Sequence, residues 1–504
     1  MKAKNIIKTS ILTLAFGLST IGCSDDFYDV NDNPNDPSIS TPKLTLAASQ
    51  EYFASLNATT MTYMGNMFVY NWSTPSNWSA NQDYFRYSIT NTFNSGIWDA
   101  SYIDILKNLT YIENYEDPTG VVDYSAYDVI AATIKGFQYQ MLVDIYGDIP
   151  YSEATLRSDN PTPKYDDAET IYKDVIAKLT DAANLSKNLP SNAENPGSQD
   201  IFFGGDMTKW GQFANTIKLR MLVRLSNTGQ DAYIKEEITK INQNGLGYIE
   251  EDVASNPGYG SAMEEQQSPF YGYFFKVDDK QEDRNDFTVA SDYTIAHLTN
   301  TNDPRIAYLY RPSANEDEFK GVYQASSLPG EGFTNNDLSK VGPGLLKKSD
   351  QDQVIMSLSE ALFIQAEAAQ RGYTSGNAQE LYESGITEHF IYLYGKDDVE
   401  AAEIEASDYL TQNIENVGWA ASPNKIEAIM TQKWIALNGI ASIESWFDLT
   451  RTGYPDVPLP VDAEAAGRTR PVRLLIPGGE VSKNGNNVPK QTAEDVFSSD
   501  PFWR

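Results

Sequence analysis

The sequence predicts a mainly α-helical fold in which paired helices form one side of a single large domain. Long irregular loops and short strands are expected on the other side. Two observations predict this arrangement. Apolar residues recur at three- and four-residue steps in both halves of the chain, and residues 247–350 between them are rich in Gly, Pro, Asn, Asp and aromatic residues without helical periodicity. With 504 residues, 41% of them hydrophobic, the chain can bury a sizeable core.

The first group of predicted helices lies between residues 126 and 225. One apolar stripe stops at Gly147 and Pro150, and it consists of Ala126, Ile130, Ile134, Phe137, Met141 and Ile145. Two further stripes are Ile171, Val175, Leu179 and Ala182, and then Trp210, Phe213, Ile217, Met221 and Leu225. Each stripe needs a neighbouring helix to cover it.

The second group repeats this pattern after residue 350. One predicted helix ends before Gly372 and the next ends at Gly395, which together form a helical hairpin. Ser422 as N-cap and Pro423 in the first turn predict a third helix that continues towards Trp446. Paired helices of roughly 34 to 40 residues are typical of tetratricopeptide-like repeats.

The start of the chain has the layout of an export signal. Three lysines precede a largely apolar run at residues 11–18, which is too short to span a bilayer. Cys23, the single cysteine, follows this run, and the order resembles a bacterial lipoprotein signal, although Thr20 stands where Leu is usual. A buried free cysteine is the alternative. We therefore expect a signal peptide at residues 1–22, a lipidated Cys23 with a flexible tether at residues 23–43, and one domain over residues 44–504 with a loop-rich insertion at about 247–350.

Composition and motifs argue against several classes of function. The formal net charge of -32 disfavours nucleic acid as a partner, because phosphate backbones need Lys and Arg. The two histidines, His297 and His389, lack partners at metal-ligand spacing, and no GxSxG elbow or phosphate loop occurs. We expect no cofactor and no metal. A glycosidase needs only two carboxylates, so a surface glycoside hydrolase stays open among 70 acidic residues.

Aromatic residues in polar loops are the candidate ligand contacts. Flat rings match the apolar faces of sugars, and nearby amides such as Asn77 and Gln82 can bind hydroxyl groups. The candidates are Trp72, Trp78, Tyr84, Tyr271, Tyr273 and Tyr323. The alternative is that Trp72 and Trp78 pin their loop to the helices. Trp98, Trp434 and Trp446 lie on predicted helices and are expected in the core.

Several segments, taken in order, resemble the SusD/RagB-like family of nutrient-binding lipoproteins. They are residues 146–154 (YGDIPYSEA), 302–305 (NDPR), 360–368 (EALFIQAEA) and 446–451 (WFDLTR), with Arg473, Pro477, Asn484 and Asn487 near the end. Residues 24–26 (SDD) also resemble the export tag of surface lipoproteins in Bacteroidetes. The resemblance covers essentially the whole mature chain.

This resemblance implies a non-catalytic function at the cell outer membrane. Such proteins are lipid-anchored on the exterior as lids over a SusC-like TonB-dependent barrel, and they pass a glycan or peptide to it. We expect an oligosaccharide ligand, with a peptide-binding lid, the hydrolase and an assembly scaffold as alternatives. The helical repeat side is the expected contact with the barrel.

Lipidation of Cys23 predicts that the variant Cys23→Ala leaves the membrane fraction, because multiple acyl chains are needed to hold a protein stably on a bilayer. Fractionation of cells that express Cys23→Ala, with Ser24→Ala as the matched control, checks this. Retention of Cys23→Ala in the membrane fraction would mean that the anchor lies elsewhere in the chain.

Overall fold

Helices make up most of the regular structure, as the apolar stripes predict. The computed structural model describes residues 40–156 and 159–504 of the chain. The predicted signal peptide, Cys23 and most of the tether therefore lie outside the described residues. Within the described residues, no helix combines the length and apolar character needed to cross a membrane.

The helices before residue 250 include the three predicted stripes and several shorter segments. They are α1 (Pro42–Leu56), α2 (Thr62–Phe68), α3 (Gln82–Arg86), α4 (Gly96–Asp99), α5 (Lys107–Glu113), α6 (Ser125–Tyr146), α7 (Ala168–Lys187), α8 (Met207–Arg224) and α9 (Asp231–Asn244). Two π-helical segments, Asn57–Met61 and Ala100–Leu106, join α1 to α2 and α4 to α5. The first predicted stripe, on α6, is buried along its whole length.

The remaining helices are shorter in the loop-rich middle and longer towards the end of the chain. They are α10 (Pro269–Gly272), α11 (Asp283–Phe287), α12 (Asp292–Asn300), α13 (Ile306–Leu309), α14 (Leu358–Gln370), α15 (Ala378–Tyr394), α16 (Val399–Leu410), α17 (Lys425–Ala436), α18 (Ser442–Thr452), α19 (Val461–Ala465), α20 (Gly478–Asn484) and α21 (Asp495–Ser498).

Successive long helices pack against each other in two groups. In the first group α6 contacts α7, α7 contacts α8 and α8 contacts α9. In the second, α14 contacts α15 and α17, and α15 contacts α16. Side-chain caps begin several of these helices; for example, Asp167 accepts a hydrogen bond from the Thr170 amide at the start of α7. The predicted fold class, helical pairs on one side and loops on the other, is confirmed.

The long helix predicted from Ser422 to Trp446 is wrong in two respects. It begins at Lys425, with Asn424 rather than Ser422 as its cap. It also ends at Ala436, and a separate helix, α18, begins at Ser442. Gly439 has a φ of +75°, a left-handed conformation that interrupts the helix, and a Cβ there would lie 2.5 Å from Leu345 Cδ1.

Short antiparallel strands hold the loop side together. The strands are β1 (Trp72–Ser73), β2 (Ile149–Pro150), β3 (Tyr165–Asp166), β4 (Val253–Ser255), β5 (Val289–Ala290), β6 (Tyr310–Arg311), β7 (Lys340–Val341) and β8 (Gln353–Met356). One sheet has the order β1-β5-β7-β6, and β2-β3 and β4-β8 form two further pairs. The first sheet therefore brings residues near position 72 next to the loop-rich middle of the chain.

A buried cluster of charged side chains joins five helices, and we call it the central ion cluster. Its members are Asp144 on α6, Arg220 and Arg224 on α8, Glu360 and Glu367 on α14, Lys433 on α17, and Glu444, Asp448 and Arg451 on α18. Arg224 Nη1 lies 3.0 Å from Asp448 Oδ1, and Arg224 also donates to Glu444. Arg451 binds both carboxylate oxygens of Glu367, at 2.6 and 2.8 Å.

The charges of this cluster decide the ionisation of its carboxyl groups. Burial alone raises the pKa of a carboxyl group, but Lys433, Arg224 and Arg451 outweigh burial at Asp448 and hold its pKa well below the usual range. At Asp144 burial prevails over the charge of Arg224 and raises the pKa to about 6. Each buried carboxylate charge is therefore compensated only while the neighbouring cations are present.

Removal of one cation from this cluster should destabilise the protein strongly. Arg224→Met leaves buried carboxylates without their partner, and we expect the free energy of unfolding to fall by about 3–5 kcal/mol. Chemical denaturation measures this loss. The matched control is Lys320→Met, which breaks the exposed pair with Glu316 and should cost roughly 0.5 kcal/mol. Equal small losses in both variants would contradict this role for the cluster.

Candidate functional site

A cleft on the loop side contains one of the predicted aromatic residues, and we call it the Trp78 cleft. The chain leaves β1 at Ser73 and forms a loop before α3 begins at Gln82. This loop and residues 325–328 enclose about 490 Å³. The lining residues are Thr74, Pro75, Ser76, Asn77, Trp78, Ser79, Gln82, Arg86, Ala325, Ser326, Ser327 and Leu328.

Hydrogen bonds from distant parts of the chain fix the loop that carries Trp78. The Ser76 amide donates to the Phe333 carbonyl at 2.7 Å. Asn77 and Asn335 form a reciprocal pair, in which Asn77 Nδ2 donates to Asn335 Oδ1 at 2.8 Å and the Asn335 amide donates to Asn77 Oδ1 at 3.1 Å. The loop is therefore positioned by residues 325–335 before any ligand binds.

Trp78 combines an apolar ring with partial exposure. Its ring contacts that of Phe287 with centroids 5.7 Å apart and an interplanar angle of 62°, and its side chain is half-buried. Around it the cleft offers hydroxyl and amide groups from Ser79, Ser327 and Gln82. An aromatic surface beside several polar groups is the usual composition of a small-molecule site.

Arg86 adds a cationic donor to the Trp78 cleft. Among the described residues, its guanidinium makes no ion pair or hydrogen bond. Asp462, next to this wall, is already engaged, because it accepts hydrogen bonds from the amide and hydroxyl of Ser326. Burial would raise the pKa of Asp462, but these hydrogen bonds and the positive charge of Arg86 outweigh burial and lower it.

Left-handed backbone conformations mark the segment around this loop. Tyr70, Asn81 and Tyr87 have φ values of 61°, 58° and 49°. Such conformations are costly for residues other than glycine and persist only when the surrounding structure imposes them. Asn81 is held by its own side chain, which donates to Tyr63 Oη at 2.9 Å and to Thr74 Oγ1 at 2.8 Å.

Behind the cleft, Tyr63 connects several aromatic rings. It lies 5.5 Å from Trp72 and 6.0 Å from Tyr273, measured between ring centroids. The Arg284 guanidinium carbon stacks over Tyr273 at 3.4 Å from the ring centroid. Burial raises the pKa of Tyr63 to about 12, although its hydrogen bonds to Thr288 and Asn81 act in the opposite direction. This phenol is therefore neutral at physiological pH.

Three of the six candidate aromatic residues serve packing. Trp72 has no exposed surface, because Tyr63 and Phe274 cover its ring. Tyr84 is 9% exposed and its hydroxyl accepts a hydrogen bond from Asn94. Tyr271 is 8% exposed, stacks on Phe275 and donates to Asp279. A buried ring has no exposed face on which a sugar could stack in this conformation. We therefore leave these three residues out of the proposed site.

The other three candidates keep exposed surface but do not all line one cavity. Trp78 lines the cleft, while Tyr273 is half-buried beneath Arg284. Tyr323 is also half-buried, packs on Phe333 and precedes the cleft wall at residues 325–328 by two positions. Its carbonyl accepts a hydrogen bond from the Ser73 hydroxyl at 3.1 Å. The structure thus brings Trp78 and Tyr323 to neighbouring segments.

Sequence reasoning missed the residues that support the site from a distance. Phe287, Arg284 and Asn335 contact the Trp78 loop or its aromatic neighbours, yet they lie more than 190 residues away along the chain. The polar loop around Asn335 carries no periodic pattern that could indicate its partner. Within the described residues, no group of three or more His, Cys, Asp or Glu side chains could hold a metal ion.

Residues 34–477 match the SusD-like family described as "Starch-binding associating with outer membrane". The chain belongs to this family. The match covers most of the sequence and includes the motifs at residues 146–154, 302–305, 360–368 and 446–451. A comparison with curated protein sequences found no match.

Similar solved structures share the whole architecture of this SusD-like chain. A chitin-binding protein has 25% identity and a TM-score of 0.71, over 89% of this chain and 95% of that chain. A chitin-binding SusD homolog from Flavobacterium johnsoniae has 22% identity and a TM-score of 0.71, over 91% and 98%. A SusD homolog from Bacteroides fragilis has 20% identity and a TM-score of 0.70, over 92% and 100%. The latter two likenesses concern the fold alone.

The burial of the two tryptophans predicts losses of stability of different size. Trp72→Ala empties a filled core site and should lower the free energy of unfolding by about 3–5 kcal/mol. Trp78→Ala removes a half-exposed ring and should lower it by about 1 kcal/mol or less. Denaturant titrations of the two variants provide the comparison. Similar losses in both would mean that Trp78 also belongs to the core.

Proposed function

We propose that this protein is a lipid-anchored, non-catalytic glycan-binding protein of the outer membrane. It captures an oligosaccharide in the Trp78 cleft and delivers it to a SusC-like TonB-dependent barrel, which it covers as a lid. The observation that carries the proposal is a half-exposed tryptophan in a polar cleft of a SusD-like chain.

The cleft has the chemistry that a sugar ring requires. The face of Trp78 can cover the C–H groups of one ring, while Gln82 and Arg86 line the same cleft as hydrogen-bond partners for hydroxyl groups. The volume of about 490 Å³ lies within the roughly 300–1,000 Å³ typical of ligand pockets. This space suits a short stretch of a polysaccharide better than a long one.

The lining of the cleft supports binding without hydrolysis. Glycoside hydrolases use two carboxyl groups that flank the scissile bond. The described residues that line the Trp78 cleft include neither Asp nor Glu. A bound glycan would therefore meet no acid and no nucleophile there, and cleavage would be left to other proteins.

Anchoring and the barrel partner rest on the start of the sequence and on family membership. Cys23 follows an apolar run and precedes a polar tether, the order expected of an acylated export signal. We place the barrel contact on the helical side, so that the loop side with the Trp78 cleft stays open to the ligand. Co-purification of a large outer-membrane barrel with the full chain from detergent-solubilised membranes would support this partner.

The proposal predicts that polysaccharide retards the protein in native gels through Trp78. Soluble starch and glycol chitin are the probes, chosen because of the family description and the chitin-binding relatives. We expect retardation by at least one of them, a loss of retardation in Trp78→Ala, partial retention in Trp78→Phe, and no soluble sugar released after prolonged incubation. The control is Trp419→Ala, which changes a partly buried tryptophan that does not line the cleft and packs against Tyr382 in a separate apolar cluster.

Two results would contradict the proposal. Release of short sugars by the purified protein would make it a hydrolase. Unchanged retardation of a folded Trp78→Ala variant would place the glycan outside the Trp78 cleft.

A further inference from the structure

A second cleft lies between the α4–α5 segment and α20, and we call it the Tyr102 cleft. It encloses about 290 Å³ and shares no lining residue with the Trp78 cleft. One wall includes Trp98, Tyr102 and Lys107, and the opposite wall includes Pro163, Glu480 and Lys483. Its volume is at the lower end of the range for ligand pockets and suits a single ring with a substituent.

A π-helical segment gives the first wall its composition. The Lys107 amide donates to the Tyr102 carbonyl, five residues earlier, within the segment Ala100–Leu106. In a regular α-helix, Leu106 would follow Tyr102 on this face. The additional residue of the π-helix turns Leu106 into the core, where it has no exposed surface, and brings Lys107 to the cleft. Segments of this kind occur frequently at functional sites.

The floor of the cleft is apolar and fixed. The Trp98 and Tyr102 rings lie 4.8 Å apart between centroids, and Tyr102 Oη donates to the Pro150 carbonyl at 2.7 Å. Ile103 borders the cleft with 51% of its surface exposed. A ring that covered Tyr102 and Ile103 would remove this surface from water.

The backbone beside the cleft is strained. Thr155, which lines it, has a φ of 64°, a left-handed conformation that is rare for a β-branched residue. Its hydroxyl contacts Thr110 Oγ1 at 3.0 Å and the Ala154 carbonyl at 2.6 Å, and these contacts hold it in place. Strain of this kind concentrates at ligand-binding sites.

The two lysines of the cleft have no partner of their own. Within the described chain, only four lysines make no ion pair, hydrogen bond or ring contact, and they are Lys107, Lys235, Lys483 and Lys490. Two of the four border this one cleft, in a protein with 70 acidic and 38 basic residues. Asp99 and Glu480 line the same cleft, and Glu480 Oε1 already accepts hydrogen bonds from Tyr165 Oη at 3.1 Å and Asn484 Nδ2 at 2.9 Å.

We propose that the Tyr102 cleft is a second binding site, which takes the carboxylated ring of an acidic sugar, a uronate. The sugar ring lies on Tyr102 and Ile103, and its carboxylate lies between the ammonium groups of Lys107 and Lys483. The Glu480 carboxylate, which is held by Tyr165, accepts a hydrogen bond from a ring hydroxyl. The site is independent of the Trp78 cleft and gives the protein a preference for acidic glycans.

Saturation-transfer difference NMR on the full chain tests this site with three probes. Glucuronate carries both the ring and the charge, glucose the ring alone, and acetate the charge alone. We expect saturable binding of glucuronate only, and weaker binding as NaCl is raised, since salt screens exposed charges. The double variant Lys107→Ala/Lys483→Ala should weaken binding by about tenfold or more, and Lys107→Arg/Lys483→Arg should retain it.

Two control variants make the result specific. Lys235→Ala/Lys490→Ala removes the other two unpartnered lysines and should bind glucuronate as the parent does. Trp78→Ala should also bind it normally, which separates this site from the proposed function of the Trp78 cleft. The inference is overturned if glucose or acetate binds as well as glucuronate, if no saturable binding occurs, or if either control variant loses binding to the same extent as Lys107→Ala/Lys483→Ala.

Discussion

Arg224 lies among the carboxylates of Asp144, Glu444 and Asp448, and much of the fold depends on this arrangement. A guanidinium buried to 2% exposure needs anionic partners at hydrogen-bond distance, because an unpaired charge in the interior is very costly. Those partners come from α6 and α18, which are about 300 residues apart in the chain. The central ion cluster therefore fixes how the first group of helices meets the second.

The loop side is connected to this helical framework by a second set of long-range contacts. Gly65 on α2 allows α18 to approach so closely that a Cβ would lie 2.2 Å from the Ser442 carbonyl carbon. After α2, Gln324 Nε2 donates to the Trp72 carbonyl at 2.7 Å, and β1 pairs with β5. Trp72 is thus held on all sides, whereas Trp78, six residues later, extends beyond the sheet. One short segment in this way provides both an anchor and an exposed ring.

The helices could be predicted from the sequence because each buries a stripe whose spacing is visible locally. The break at Gly439 was missed, because glycine also occurs inside helices and its left-handed φ depends on the approach of Leu345. The exposure of the tryptophans was beyond local reasoning, since Trp72 and Trp78 both lie in polar surroundings. Burial of Trp72 is decided by Phe274, about 200 residues away. The central ion cluster is indicated in part by the sequence, because Arg220 and Arg224 interrupt the apolar face of α8.

We propose that a rigid helical framework presents a glycan-binding cleft on its loop side. Hydrogen–deuterium exchange of the full chain, with and without chitohexaose or maltohexaose, tests it most directly. With a bound glycan, we expect the backbone amides of residues 74–86 and 325–335 to exchange more slowly. The amides of α6, α8, α14 and α18 should exchange as before. Slower exchange confined to α14, α15 and α16, with no change near Trp78, would contradict it.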